Sequence, residues 1–285
     1  MQLLTIRNKF LPAKYKLDLN ISPTKPVFSG TLVLDMIKNS QFHSQSANDS
    51  STILLHSSKL VITLAIVNEK KLKIVYSKES ETVALTLEDG KLPDAFQLII
   101  SYVGQVTSIK TFQDSTFGLF KTNYLDNVSG KSSNLVFATH NQPFYAKKLL
   151  PVIDEVSFKA PITLSITTLN RFRVVSNTKL ISKEPISMTE DAKFTFEETP
   201  ALPSHLFAFV VGDLEFIETQ TSSKLPVRFY APIGESGSAL YALEVAKRVI
   251  PVLSDLLKCP FPLPKMDFVA LPFLSDHVME NWGLV

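Results

Sequence analysis

The chain reads as mainly β, a sandwich or saddle of antiparallel sheets that gives way to a smaller segment mixing helix and strand. Three observations predict this. Short stretches of strict polar–apolar alternation recur from Tyr15 onward, the pattern of strands with one face in a core and one in water. Turn chemistry, not helical periodicity, separates them. The single long run with helical spacing comes only after Gly212-Asp213.

Taken in order, Tyr15 to Ile21 alternates, as does Gly30 to Met36. Gln41 to Thr52, rich in Ser, Asn and Gln, predicts an exposed loop. Val61 to Val67, Leu72 to Tyr76, Thr82 to Leu87 and Ala95 to Tyr102 continue the strands, with Asp89-Gly90 and Leu92-Pro93-Asp94 as turns. Pro161 to Ser165, Phe172 to Ser176, Ala192 to Glu197 and Leu206 to Val211 extend the β region, and Val227 to Ala231 is one more strand. From Ser236 the apolar residues Leu240, Leu243, Val249, Leu253 and Leu256 recur at helical spacing, with Pro251 expected to bend or locally break the helix. Cys259-Pro260-Phe261-Pro262-Leu263-Pro264 ends it, and Met266 to Leu271 predicts a strand. The simplest division is 1–213 as a β domain and 214–285 as the incomplete opening of a second domain, whose strand and helix have little to pack against.

At 285 residues the chain has room for one large domain or two ordinary ones. With 45% hydrophobic and 20% charged residues, it is a globular sequence and not a disordered one. The formal net charge is +2 and the basic runs are short, Lys70-Lys71 with Lys73 and Lys147-Lys148, which excludes a phosphate-binding stripe for nucleic acid. No stretch approaches the roughly 18 apolar residues of a membrane span, and the N-terminus has no signal-peptide pattern. Single Cys259 fits a reducing compartment and is expected to be a small buried residue. The cytoplasm is the expected location, and the glycosylation patterns at Asn48 and Asn127 read as chance matches.

The residues that point to chemistry lie at the end. His277-Val278-Met279-Glu280-Asn281-Trp282-Gly283-Leu284-Val285 reads as an apolar strand with one carboxylate, one amide and the only tryptophan. This segment and the preceding Phe261 to Pro272 resemble the aminopeptidase N-type zinc metallopeptidases, the gluzincin aminopeptidases. Their pattern Y-P-L-P-K-x-D-x-V-A-x-P, followed by G-x-M-E-N-W-G-L, is matched here almost position by position. Leu11-Pro12 with Tyr15, Phe28-Ser29-Gly30, Gly118-Leu119-Phe120 with Tyr124, Ala138 to Pro151 with Asp154-Glu155, and Leu206 to Glu218 add matches in the same order.

The resemblance implies an N-terminal β-saddle domain followed by the truncated start of a thermolysin-like α+β catalytic domain. It implies peptide N-termini as partners, beside the charge and hydropathy that argue for neither nucleic acid nor membrane, and a catalytic zinc whose H-E-x-x-H ligands would lie after Val285. The histidines present, His43, His56, His140, His205 and His277, form no H-x-x-x-H pair, so this segment is expected to hold no metal and to contain no complete catalytic set.

An exopeptidase must hold a free ammonium group, which a carboxylate does through charge-assisted hydrogen bonds. The resemblance places that carboxylate at Glu280. It places the family's second amine-binding Glu at Gln142 and the preceding Gln at His140. The expected substrate-binding set is therefore Glu280, Gln142, His277, Val278, Met279 and Asn281. Gln142 accepts a hydrogen bond without charge, a loss of about 1–3 kcal/mol in amine recognition. His277 replaces the motif's Gly and puts an imidazole at the cleft edge, and Val278 adds bulk. Asn281 and Trp282 are read as structural, through a side-chain hydrogen bond and core packing, and His140 as a satisfied, partly buried histidine. Departures at amine-facing positions motivate an alternative to the zinc aminopeptidase: a weakly active or non-proteolytic peptide-binding protein on the same scaffold, for instance one engaging nascent chains at the ribosome.

Overall fold

Alternating burial along Phe10–Ile21 and Val27–Lys38 sends Leu17, Leu19, Leu32 and Leu34 into a core where each is at most 1% exposed. The computed structural model describes residues 6, 8–40, 50–111, 113–125 and 134–285. Most of the Gln41 to Thr52 loop, His43 and the two glycosylation patterns fall outside them. The chain divides into two compact units. One comprises Met1–Val106, Asn141–Thr168 and Glu198–His205; the other Thr107–His140, Leu169–Glu197 and Leu206–Val285.

In the first unit, strands lie in the order Ile162–Leu169, Phe10–Ile21, Val27–Lys38, Ala95–Gln105, Leu60–Val67 and Lys70–Lys71. All neighbours are antiparallel except the first pair, where Tyr15 to Asn20 run parallel to Ile162 to Thr167. A second sheet orders Thr52–His56, Thr82–Thr86 and Lys73–Ser77. Gly30 has a local reason: a Cβ there would meet the Tyr102 ring at 2.4 Å. Its absence lets that ring sit edge-to-face with Phe28, centroids 6.2 Å apart, while the Tyr102 hydroxyl donates to the Leu149 carbonyl at 2.9 Å. The Asp154 matched to the family pattern is buried and structural. Its carboxylate accepts from Ser204 Oγ at 2.7 Å and from the Lys147 N–H at 3.1 Å. Lys147, also buried, pairs with Glu81.

The second unit holds the sheet Arg173–Ser176, Phe209–Gly212, Asn134–His140, Gly118–Tyr124 and Thr107–Ser108, and a hairpin of Leu180–Pro185 with Asp191–Phe196. A further sheet orders Leu214–Gln220, Pro226–Pro232 and Met266–Val269, the last pair parallel. Phe120, Val136, Ala138, Val210, Tyr230 and Leu284 share one core.

The helix Leu240–Leu257 passes through Pro251 without the expected break. A proline forfeits one main-chain bond, and the turns on either side carry the helix across. It ends as Lys258 enters the left-handed region at φ 51 and the Cys259 N–H bonds the Ser254 carbonyl at 3.1 Å. Cys259 is exposed, not buried as expected, because this helix end faces solvent. Of the helix's own residues only Leu243 is buried, and Leu256 and Leu257 stand 73% and 69% exposed. No helix among the described residues is long and apolar enough to cross a membrane.

Candidate functional site

The segment from His277 is not the strand its apolar pattern predicts. It runs irregularly until Leu284 forms a parallel bridge with Asp267, at the edge of the Met266–Val269 strand. There the Asp267 N–H bonds the Gly283 carbonyl at 3.1 Å, and the Val269 N–H bonds the Val285 carbonyl at 2.7 Å. The reason for the irregular path is a tight turn: the Leu284 N–H reaches the Asn281 carbonyl at 3.2 Å, with Gly283 at φ +70. Only glycine takes that conformation without steric cost.

Three buried polar side chains hold this turn. Lys265 is 1% exposed, and its ammonium donates to the Gly283 carbonyl at 2.7 Å, to the Ser176 carbonyl, and to the Asp267 carboxylate at 2.8 Å. Three hydrogens meet three acceptors, the full capacity of a lysine. Burial pushes the Lys265 ammonium down and the Asp267 carboxyl up, and each charge opposes the other's shift. Asn177, fully buried, donates to the Trp282 and Leu206 carbonyls, both at 2.8 Å, and accepts from the Ala208 N–H at 2.9 Å. The Met279 to Leu284 segment is thus tied to the end of the Arg173–Ser176 strand.

The segment borders a cavity of about 350 Å³. His277, Val278, Met279 and Asn281 line it, opposite Phe229 and Phe268, whose rings stack with centroids 6.1 Å apart. No Asp, Glu, Lys or Arg belongs to the lining. Met279 and Asn281 are buried, whereas Val278 is 60% exposed and His277 is exposed. Glu280 projects to the exposed surface between Met279 and Asn281, outside the cavity lining. Trp282 is 38% exposed and so is not the core-packed residue expected; Met279 and Leu284 fill that role. Four of the six expected residues therefore share one cavity and Glu280 adjoins them in the chain. Gln142 belongs to the first unit, partly exposed and joined to Pro143 by a cis peptide bond.

His140 is fully buried, more than the partly buried histidine expected, and it is only half satisfied; it holds the loop leading into the segment. Its Nδ1 lies 2.7 Å from the Thr116 hydroxyl, which lies 2.6 Å from Ser275 Oγ. Its Nε2 lies 3.3 Å from the Asp276 carboxylate, too poorly aligned to form a hydrogen bond. Burial pushes the imidazole below its ordinary pKa, and the Asp276 charge offsets part of this. A lowered folded-state value means that the unfolded chain takes up the proton first. The stability from neutral His140 is complete above pH 6.5 and is lost as the pH falls from there through the lowered value. Unfolding midpoints measured between neutral and mildly acidic pH should show this loss, and His140→Gln should flatten it.

Lys265, Asn177 and Thr116 were not marked as site residues by sequence reasoning. Lys265 carried a signal: a Lys-x-Asp pair within an apolar stretch is costly unless buried and paired.

Two family models match the chain. The family model described as the peptidase M1 N-terminal domain matches residues 11–206, and that of the peptidase family M1 domain matches residues 241–285. The chain is 35% identical to Protein TMA108 of Saccharomyces cerevisiae over 99% of its own length and 31% of that protein's. It is 28% identical to the puromycin-sensitive aminopeptidase of Caenorhabditis elegans, covering 96% of this chain and 28% of that one. It is 27% identical to aminopeptidase N of Lactobacillus delbrueckii subsp. lactis, covering 97% and 30%. The chain spans under a third of the length of each of these relatives.

Proposed function

Since the chain belongs to the peptidase M1 family, we propose that it serves a protein that recognises peptide N-termini, with Glu280 as the carboxylate that binds the free ammonium group. The observation that carries this reading is the clamped turn. Asn177 and Lys265 fix the Trp282 and Gly283 carbonyls, and the exposed Glu280 lies two residues before this clamp, next in the chain to the cavity-lining Met279 and Asn281. A main chain already fixed close by loses less entropy when the carboxylate binds an amine. The cavity, lined by His277, Val278 and Met279, suits an apolar part of the peptide. Gln142 stands where the family pattern has its second amine-binding Glu and brings no charge there.

On this reading residues 1–213 form the N-terminal β-saddle domain and 214–285 open a thermolysin-like catalytic domain, in a cytoplasmic protein. The family is zinc-dependent. Among the described residues no group of three His, Cys, Asp or Glu side chains could hold a metal, so these residues do not fit a zinc centre. A second reading, peptide capture with reduced or no hydrolysis, as in nascent-chain binding at the ribosome, draws on His277 and Gln142 standing where the family has Gly and Glu.

Titration calorimetry on the whole protein, with a peptide and its N-acetylated form, tests amine recognition. The free-amine peptide should bind more tightly, and Glu280→Gln should weaken it about tenfold or more while leaving the acetylated peptide unaffected. Equal affinities in the parent protein, or an undisturbed preference in the variant, would remove Glu280 from the role.

A further inference from the structure

A second hollow in the same unit has the opposite character to the apolar cavity. It has a volume of about 390 Å³ and lies among the Arg173–Ser176 strand, the Leu180–Pro185 hairpin and the Pro226–Pro232 strand. Arg173, Lys179, Lys183, Arg228 and Lys265 all line it, and among the described residues no Asp or Glu does. Two of these cations are already neutralised. Arg228 pairs with Glu218 at 3.2 Å, and Lys265 with Asp267 at 2.8 Å. The other three, Arg173, Lys179 and Lys183, form no ion pair among the described residues.

Aromatic rings and a carbonyl hold two of these three in place instead. The Arg173 guanidinium lies over the Phe216 ring at 5.3 Å. The Lys183 ammonium lies over Phe194 at 5.1 Å and donates to the Asn170 carbonyl at 2.8 Å. Such contacts orient a cation without cancelling its charge. Uncompensated like charges around one hollow repel each other, an arrangement that an anion relieves.

We propose that this hollow binds a small ligand carrying clustered phosphate groups. Three uncompensated cations match several negative charges at close spacing better than a lone carboxylate. The size lies in the range of small-molecule sites. Arg173 and Lys183 already occupy the faces of Phe216 and Phe194, so charge dominates recognition and stacking contributes little. Basic residues elsewhere are scattered and the net charge is only +2, which favours a compact ligand over a nucleic-acid strand. A nucleotide and a free polyphosphate share this chemistry.

Calorimetric titration of the whole protein with tripolyphosphate, ATP and inorganic monophosphate tests the assignment. Tripolyphosphate should bind saturably at one site, at least tenfold more tightly than monophosphate, and more weakly as salt rises. Lys183→Ala and Arg173→Ala should each weaken it about tenfold or more. Both side chains are exposed, and an unchanged thermal midpoint confirms that each variant is folded. ATP binding as tightly as tripolyphosphate points to recognition of phosphates alone, and tighter ATP binding points to a nucleotide; either supports the site. No saturable binding of tripolyphosphate or ATP, equal affinity for monophosphate, or variants that bind as the parent does would overturn it.

Discussion

Lys265→Met should destabilise the second unit by about 3–5 kcal/mol, the cost of leaving one member of a buried ion pair without the other. Lys265 and Asp267 are 1% and 2% exposed, and one Asp267 oxygen already lacks a hydrogen-bond partner. Losing the ammonium would strand the carboxylate in an apolar setting, remove the lysine's bond to the Ser176 carbonyl and leave the Gly283 carbonyl with only the Asp267 N–H. Methionine matches the length of the lysine stem, so packing is largely kept and the loss reads the charge. Lys265→Met with Asp267→Leu should regain much of the stability, since no buried charge then remains. Urea unfolding of the two variants measures the difference. If single and double variants unfold at the same midpoint, the buried pair is not what holds the turn.

Gly283→Ala should have the next largest effect, and it acts on the site directly. The left-handed conformation at φ +70 costs an alanine about 1–2 kcal/mol by itself. The added Cβ would also lie 2.4 Å from the Asn177 carbonyl oxygen and 2.8 Å from Leu263 Cδ1. The Leu263 methyl can turn aside, but the Asn177 backbone cannot move without disturbing its bonds to Leu206, Ala208 and Trp282. The turn must therefore move instead. Trp282 is the only tryptophan, so fluorescence quenching by acrylamide reports that movement without a label. Quenching should rise in the variant, and the preference for free-amine peptides should fall with it. Unchanged quenching would show that the turn accepts a side chain and that glycine is not required there.

Much of the fold was legible because a half-buried strand writes its burial into every second residue. Tyr15 to Ile21 and Gly30 to Met36 did so, and they are the inner parts of the strands Phe10–Ile21 and Val27–Lys38. Asn134–His140 did not, because six of its seven residues are buried on both faces and the alternation vanishes. Leu180–Pro185 was missed for the opposite reason, as an exposed hairpin arm with almost no apolar face turned inward. Pro251 did not break the helix because the penalty for one lost bond is local, whereas the helix is held by all its turns.

Sequence by itself carried the family and the mainly β class, and it singled out the His277 to Val285 segment, because these reside in local pattern and residue order. Tertiary structure alone decided that Met279 and Asn281 are buried, that Glu280 and Trp282 face solvent, and that the segment is a clamped turn and not a strand. The physical reason is distance along the chain. Lys265 and Asn177 reach the turn from 18 and 105 residues away. Only folding brings their hydrogen bonds to Gly283 and Trp282.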